Sequence, residues 1–276
     1  MTLTSLPFYL LVLALLVLYY LVPKRFQWVV LLIGSYAFYA FVCLRYMGFI
    51  VITTLTTYFG ARGMDAMTAR MEQTVAAHKQ DWEREERKAY KKRCKSRRKA
   101  LMIAILLLNF GILAVLKYYN FFAENFAALF GNIGWQIDWV TLDILLPVGI
   151  SFYTFQALSY SIDVYQKKLP VCKDIIAFFA YISFFPQLVA GPIERATNLL
   201  PQFYKSHTFN YAQAVDGCRQ ILWGFFKKMV VADNCATAVN LIWGNYTDQS
   251  GFTLLMGGFL FTLQIYGDFS GYSDIA

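Results

Sequence analysis

The sequence predicts an all-α fold: a polytopic transmembrane helical protein with broken or re-entrant helices in its second half. Of the 276 residues, 58% are hydrophobic and only 15% are charged, whereas soluble domains carry about 25% charged residues. The apolar residues fall into uncharged runs of 16 to 22 residues, and about 20 apolar residues span a bilayer as a helix. From residue 144 onwards, polar residues interrupt these runs together with proline and glycine, as at Pro147, Gly149 and Ser151. Irregular backbone is tolerated at membrane depth only where it is buried in protein or lines a cavity.

Composition and charge placement exclude several classes of protein. The apolar excess is too large for a secreted module, a cytosolic enzyme or a disordered chain. The net charge is +8, and 13 of the 25 lysines and arginines lie between Arg62 and Lys99. Basic residues clustered in one loop between apolar runs are the positive-inside signal of membrane proteins. We therefore expect the chain to contact a lipid bilayer and to bind no nucleic acid.

Each uncharged run is predicted to be a helix, because an open strand cannot satisfy its backbone hydrogen bonds in lipid. The first run is interpreted as a retained span rather than a signal peptide, since Lys24 and Arg25 follow it instead of a cleavage site. Two weaker candidate spans, 208–226 and 229–247, contain Arg219 and Asp233. The seven strong runs are 2–23, 26–44, 46–61, 100–116, 144–162, 175–193 and 249–267.

The loop charges predict the orientation of these spans. Segments 24–25, 62–99 and 165–174 are basic, whereas 119–143 has acidic residues and no lysine or arginine. The positive-inside rule places the basic segments in the cytoplasm and the N-terminus outside. We accordingly expect three parts: N-terminal spans (1–61), a basic cytoplasmic loop (62–99) and a transmembrane core that is incomplete at its C-terminus (100–276).

The basic loop itself is predicted to be helical. Alanine, glutamate, lysine and arginine dominate it, and no proline or glycine lies between Met64 and Lys99. Glu83 and Arg87 have the i,i+4 spacing of a helical ion pair. The favoured interpretation is a solvated helix with its basic end near anionic headgroups. A docking surface for a cytosolic partner is the alternative.

Motifs of soluble enzymes, such as the phosphate-binding loop or the zinc-protease helix, are absent. Five widely spaced cysteines without a C-x-x-C pair predict neither a disulfide framework nor a metal site. The two histidines, His78 and His207, lie in polar segments, and we interpret both as exposed loop residues.

The segment 145–165 is the first of three in which polar residues interrupt apolar sequence. Ser151, Gln156 and Ser159 offer hydrogen bonds inside it. Ser151, Phe155 and Ser159 share one helical face at i,i+4 spacing. Such residues serve either as hydrogen-bonding contacts between helices, which is the favoured reading, or as contacts to a substrate.

The second segment, 184–203, includes Gln187 and two prolines, Pro186 and Pro192, only six positions apart. A straight helix cannot hold both, so a sharp exit or re-entry is expected. Arg195 follows, and it either marks the membrane interface, which is favoured, or holds an anionic group such as a phosphate.

The third segment, 264–276, carries Asp268, Ser270 and Asp274 directly after an apolar run. Acidic groups at membrane depth are costly and point to function. A loop at the end of a helix would hold them equally well.

Together, the runs LPVGISFYTFQALSYSIDVY, FFPQLVAGPIER with LLPQF, and LQIYGDFSGYSDIA resemble the membrane-bound O-acyltransferases. The resemblance is to the bacterial branch that acts in alginate O-acetylation, and it covers roughly 144–276. It implies a multi-pass enzyme of the bacterial inner membrane and no bound cofactor. The enzyme would pass an acyl group from a cytosolic acyl thioester, the cosubstrate, to hydroxyls of an extracytoplasmic polysaccharide such as alginate.

The resemblance also implies partners and site residues. The partners would be a cytosolic acyl donor protein, the polysaccharide acceptor and periplasmic acetyl-transfer proteins. The family's catalytic histidines are expected beyond Ala276, so we take the chain to be the N-terminal portion of the enzyme, inactive alone. A polytopic transporter is the alternative, as is a non-catalytic membrane scaffold if the protein ends at 276. Candidate residues lining a substrate cavity, by resemblance and polar placement, are Ser151, Gln156, Ser159, Gln187, Asp268 and Ser270.

Overall fold

The computed structural model describes residues 5–132, 147 and 149–276, and within them the chain is helical with no strand. The predicted all-α class is therefore confirmed for this part of the chain. Parts of the predicted runs 2–23 and 144–162 lie outside the described residues. The helices are α1 Leu6–Leu21, α2 Gln27–Cys43, α3 Met47–Ala77, α4 Arg84–Asn132, α5 Ile150–Tyr165, α6 Ile175–Ser183, α7 Phe185–Ala190, α8 Ala196–Tyr204, α9 Tyr211–Phe225, α10 Asp233–Gly244 and α11 Gly251–Ile275.

Contacts divide the chain into two compact units, which are described separately. The first unit comprises Met1–Gln27, Pro186–Ile193 and Ser206–Ala276. The second comprises Trp28–Phe185 and Glu194–Lys205.

Two of the described helices are long and apolar enough to cross a membrane. They are Arg84–Ala127 within α4 and Gly251–Ile275, which is α11. The helix α4 has 49 residues and is therefore about 74 Å long at 1.5 Å per residue. A hydrocarbon core is about 30 Å thick, so α4 is much longer than a single crossing needs. The remaining predicted spans stay predictions.

The basic loop 62–99 is not one continuous helix, which corrects the expectation for this segment. Helix α3 ends at Ala77, a turn follows, and α4 begins at Arg84. The second helix start is stabilised by a side chain: the Glu83 N–H donates to Glu86 Oε2 at 3.2 Å, half of a capping box. Glu83 meets Arg87 only through a backbone hydrogen bond of 3.1 Å, rather than through the ion pair that the spacing predicted.

The predicted interruption around the prolines of 184–203 is confirmed. Three short helices, α6, α7 and α8, replace a straight one, with breaks at Phe184 and over 191–195. Pro186 lies in the first turn of α7, where a missing N–H leaves no helical hydrogen bond unmade. Asp174 caps the start of α6 by accepting from the N–H groups of Ile176 and Ala177 at 2.9 and 3.3 Å.

The weaker candidate spans 208–226 and 229–247 form one helical rod rather than two separate segments. Helix α9, a π-helix at Phe226–Ala232 and α10 follow one another without a break. The predicted gap at Lys227 and Lys228 is occupied by the π-helix. Short π segments are rare and frequently lie at functional sites.

The core of the second unit is aromatic, and a hydrogen bond from Gln156 links two of its helices. Tyr160 and Phe178 have ring centroids 4.7 Å apart, and Tyr181 lies beside both. Gln156 is buried, and its Nε2 donates to the backbone carbonyl of Tyr181 at 3.0 Å. This contact joins α5 to α6, as hydrogen bonds between membrane helices commonly do.

Gln156→Leu should lower the thermal midpoint of the purified full-length protein. The substitution keeps the volume but removes a buried hydrogen bond, which is worth about 1 kcal/mol. Thermal unfolding in detergent measures the effect, and Phe155→Leu, at an exposed neighbouring position, should leave the midpoint unchanged. An unchanged midpoint for Gln156→Leu, together with a raised KM for an acyl acceptor, would assign Gln156 to substrate contact instead.

Candidate functional site

Two adjacent lysines of the π-helix bind the acidic motif of α11 in the first unit. Lys227 Nζ lies 2.8 Å from Ser270 Oγ and 2.5 Å from Asp274 Oδ2. Lys228 Nζ lies 2.6 Å from Asp268 Oδ1 and 2.7 Å from Asp233 Oδ1. We name the set Lys227, Lys228, Asp233, Asp268, Ser270 and Asp274 the lysine clamp.

The clamp is possible because glycines let the two helices approach closely. A Cβ on Gly271 would lie 2.9 Å from the carbonyl oxygen of Gly224, and one on Gly224 would lie 2.7 Å from that of Gly271. A Cβ on Gly267 would lie 3.0 Å from the Lys227 carbonyl oxygen. Gly267 and Gly271 have the G-x-x-x-G spacing at which membrane helices cross in backbone contact.

The helix register explains which polar groups meet. Ser270 and Asp274 are four residues apart and so lie on one face of α11, where both reach the same ammonium group of Lys227. Asp268 lies beside Gly267 and reaches Lys228 instead. The π-helix carries both lysines where it crosses α11. Lys227 therefore binds Ser270 and Asp274, and the next residue, Lys228, binds Asp268.

The clamp is largely shielded from solvent except at Asp233, whose side chain is 51% exposed. The side chains of Lys227 and Lys228 are 17% and 15% exposed, and those of Asp274 and Asp268 are 21% and 31% exposed. Ion pairs in such surroundings are screened little by salt. Removing one partner of a buried pair is costly, because it leaves the other charge uncompensated. Both ammonium groups are engaged by oxygen acceptors, so the clamp is suited to fixing the motif rather than to nucleophilic chemistry.

The structure places the other predicted cavity residues as follows. Gln156 is engaged with Tyr181, whereas Ser151 and Ser159 are half-buried on a different face of α5. Phe155, which shares that face, is 46% exposed. The core-facing side of α5 is therefore not the Ser151–Ser159 side on which the spacing argument focused. The assignment of these residues to a cavity stays a prediction.

Gln187 is buried near the same helix that carries Asp268 and Ser270. It is 6% exposed, and its Oε1 has no hydrogen-bond partner among the described residues. A Cβ on nearby Gly191 would approach Ala276 Cβ to 3.2 Å, so the Gln187 segment lies against the C-terminal end of α11. A buried amide oxygen without a donor is rare in folded proteins, and it is the feature of this residue that best fits the predicted cavity role.

His207 is not an exposed loop histidine, which corrects that expectation. Its Nδ1 lies 3.0 Å from Tyr19 Oη. Its backbone N–H donates to Gln27 Oε1 at 3.1 Å, and its carbonyl accepts from Gln27 Nε2 at 3.0 Å. These contacts hold the segment before α9 against the N-terminal helix, so His207 has a structural role within the first unit.

His78 is exposed, as predicted, and it stacks on Trp82 with ring centroids 4.8 Å apart. Neither histidine belongs to the lysine clamp. Among the residues that the structure describes, no cluster of histidine, cysteine, aspartate or glutamate is arranged to hold a metal ion.

Sequence reasoning missed Lys227 and Lys228. Both residues fall between the two weaker candidate spans, 208–226 and 229–247. The available signal was the pair itself: two adjacent lysines between apolar runs need anionic partners at membrane depth. The aspartates of segment 264–276 could have supplied those anionic partners.

Comparison with known proteins gives three informative relatives, although no family model matches the chain. Probable alginate O-acetylases of Azotobacter vinelandii and of Pseudomonas aeruginosa strain PAO1 are 31% and 34% identical to it. Both alignments cover 94% of this chain, and they cover 46% and 45% of the relatives. A peptidoglycan O-acetyltransferase of Helicobacter pylori is 30% identical over 93% of this chain and 47% of that protein. The chain thus spans about half the length of the curated relatives that it matches, and over that span it is similar to alginate O-acetylases and to a peptidoglycan O-acetyltransferase.

Proposed function

We propose that this chain is the N-terminal portion of a membrane-bound O-acetyltransferase that acts on a polysaccharide. The supporting observation is the identity of 30–34% to two alginate O-acetylases and a peptidoglycan O-acetyltransferase along almost the whole chain. The names of these relatives differ in the glycan but share acetyl transfer to it. The reaction class is therefore better supported than the acceptor, for which alginate is our first choice.

The proposed enzyme is a multi-pass protein of the bacterial inner membrane with its N-terminus outside. Two helices with the length and composition of spans support a membrane location, and the basic segments 24–25, 62–99 and 165–174 support the orientation. In this arrangement a cytosolic acyl thioester donates the acetyl group. The acceptor hydroxyls and the acetyl-transfer partner proteins lie on the other side of the membrane.

Acetyl transfer to a hydroxyl needs a base that works near neutral pH, for which histidine is suited. His207 is held by Tyr19 and Gln27, and His78 lies in the turn between α3 and α4. Neither is offered as the base. In line with the family resemblance, we assign the catalytic histidines to sequence outside these 276 residues and give this portion the task of shaping the substrate cavity.

Expression of the complete coding sequence in an alginate-producing bacterium that lacks its own O-acetylase tests this function. Proton NMR of the purified polymer measures acetyl esters per uronate. We expect esters to return with the wild-type gene and to be absent when each histidine of the membrane core is replaced by alanine. Full ester content in the histidine variants would contradict the proposal. Uptake of a labelled solute without ester formation would favour a transporter.

A further inference from the structure

A basic groove lies between α3 and α4 in the second unit, at the end of the hairpin that contains the turn 78–83. Its volume is about 490 Å³. The apolar floor is formed by α3, and most of the cationic rim belongs to α4. The lining residues are Met71, Glu72, Val75, Ala76, Lys79, Arg87, Lys91 and Lys95.

The rim carries four cations and one carboxylate, and that carboxylate is engaged. Glu72 Oε1 lies 3.1 Å from Lys167 Nζ. In contrast, Arg87 Nε is buried and has no acceptor among the described residues. A buried donor without a partner is unfavourable. The four cations of the rim face no free carboxylate in the lining of the groove, because Glu72 is engaged by Lys167.

A nearby arginine outside the lining of the groove, Arg98, also has a buried Nε without a partner among the described residues, but its Nη2 is engaged. Arg98 Nη2 donates to the carbonyl oxygens of Val164, at 3.0 Å, and Tyr165. It thereby satisfies the C-terminal carbonyls of α5, a favourable position for a cation. Arg98 is a structural residue, whereas Arg87, Lys91 and Lys95 line the groove at i,i+4 spacing.

The distance of this groove from the membrane argues against its being a lipid-binding patch. The uncharged stretch of α4 begins at Ala100. At 1.5 Å per residue, Lys91 and Arg87 lie about 13 and 20 Å further along the helix. Headgroup regions add only about 5–8 Å on each side of the hydrocarbon core. With α4 near the membrane normal, these two residues lie beyond the headgroups and face an aqueous partner, whereas Lys95, about 8 Å along the helix, lies at the outer edge of the headgroup layer.

The shape and chemistry of the groove favour a helix as that partner. Arg87, Lys91 and Lys95 form a row about 12 Å long, which matches carboxylates spaced one turn apart on an acidic helix. Met71 and Val75 supply apolar floor at the same spacing, and methionine adapts readily to the side chains of a partner. Amphipathic helices bind such grooves through residues at i, i+3, i+4 and i+7.

We propose that the basic groove binds an acidic amphipathic helix of a cytosolic protein. The apolar face of that helix lies on Met71 and Val75, and its carboxylates pair with Arg87, Lys91 and Lys95. The inference rests on the proposed function only for the cytosolic location of residues 62–99. It requires no acetyl transfer by this protein.

Binding of a designed peptide to the complete protein in nanodiscs tests the proposal. The probe is a fluorescein-labelled helical peptide of about 20 residues, with leucine at i, i+3, i+4 and i+7 and glutamate elsewhere, and fluorescence anisotropy gives its Kd. The nanodiscs contain only zwitterionic phosphatidylcholine. The test variant is Lys91→Glu with Lys95→Glu. The matched control is Lys88→Glu with Lys92→Glu, which makes the same change in net charge at exposed positions of α4 that do not line the groove.

We expect the test variant to raise the Kd at least about tenfold and the control to change it by less than about twofold. A peptide of identical composition with its leucines scattered around the helix should bind at least about tenfold more weakly. Met71→Gln should weaken binding without any change in charge. All the replaced lysines are exposed, so the variants should elute from a sizing column as the wild type does.

Three results would overturn the proposal. Equal losses in the test and control variants would show non-specific attraction to a basic helix. Equal binding of the scattered peptide would remove the role of the apolar floor. Displacement of the peptide by pyrophosphate, at constant ionic strength, would assign the groove to a phosphate ligand. Because the readout is binding, its failure is separable from a failure of acetyl transfer in the NMR experiment.

Discussion

Gly271→Ala is expected to destabilise the protein and to abolish most of the proposed acetyl transfer. The added methyl group would lie 2.9 Å from the Gly224 carbonyl oxygen and 3.1 Å from the Lys228 backbone nitrogen. Both contacts are to backbone, so the rod and α11 must separate to make room. Forcing a methyl group into a filled contact typically costs about 1–3 kcal/mol. The thermal midpoint of the complete protein in detergent and the acetyl content of the polymer measure the two effects.

Gly258→Ala is the matched control for this prediction. Gly258 lies in the same helix, and its added Cβ would meet nothing within 4 Å. Alanine also has a higher helix propensity than glycine by about 1 kcal/mol, so this variant should be as stable as the wild type or more so. An equal loss of stability in both variants would contradict the close crossing of helices at Gly271.

Lys227→Met is expected to have the second large effect. Methionine keeps most of the aliphatic length but leaves Asp274 without its ammonium partner and Ser270 without its donor. Breaking a buried pair costs about 3–5 kcal/mol, and the partial exposure of this one places it at or below the lower end of that range. We expect a lower thermal midpoint and loss of acetyl transfer. The exchange Lys227→Asp with Asp274→Lys should recover part of both.

Arg219→Met is the control for a cation on the same rod. Arg219 pairs with Asp216 at 3.3 Å, but the side chains are 76% and 74% exposed. Surface pairs of this kind contribute between zero and about 1 kcal/mol, so this variant should behave as the wild type. The clamp would lose its assigned role if Lys227→Met were as mild as Arg219→Met, or if the charge exchange restored nothing.

The sequence predicted those features that depend on local pattern. The all-α class follows from uncharged runs that only helices can place in lipid. The interruption between α6 and α8 follows from Pro186 and Pro192, which no straight helix accommodates. In both cases the deciding information lies within about 20 neighbouring residues.

Features that depend on distant partners could not be predicted in this way. His207 appeared to be exposed because Tyr19, which it contacts, lies 188 positions away. The aspartates of α11 appeared equally suited to function or to a helix end, since their lysine partners lie 40 and 47 positions earlier. The break at 78–83 carries no proline or glycine, and it is fixed by the Glu83–Glu86 cap rather than by a residue that prevents helix formation.

The most direct test of the proposed acetyltransferase uses the complete protein in proteoliposomes. Radiolabelled acetyl thioester is supplied on the side of the basic segments, and alginate is enclosed with its hydroxyls on the opposite side. The account predicts label in the enclosed polymer as an ester that mild alkali releases, with little label from Lys227→Met and normal label from Arg219→Met. Release of free acetate alone, or entry of intact donor without an ester on the polymer, would contradict it.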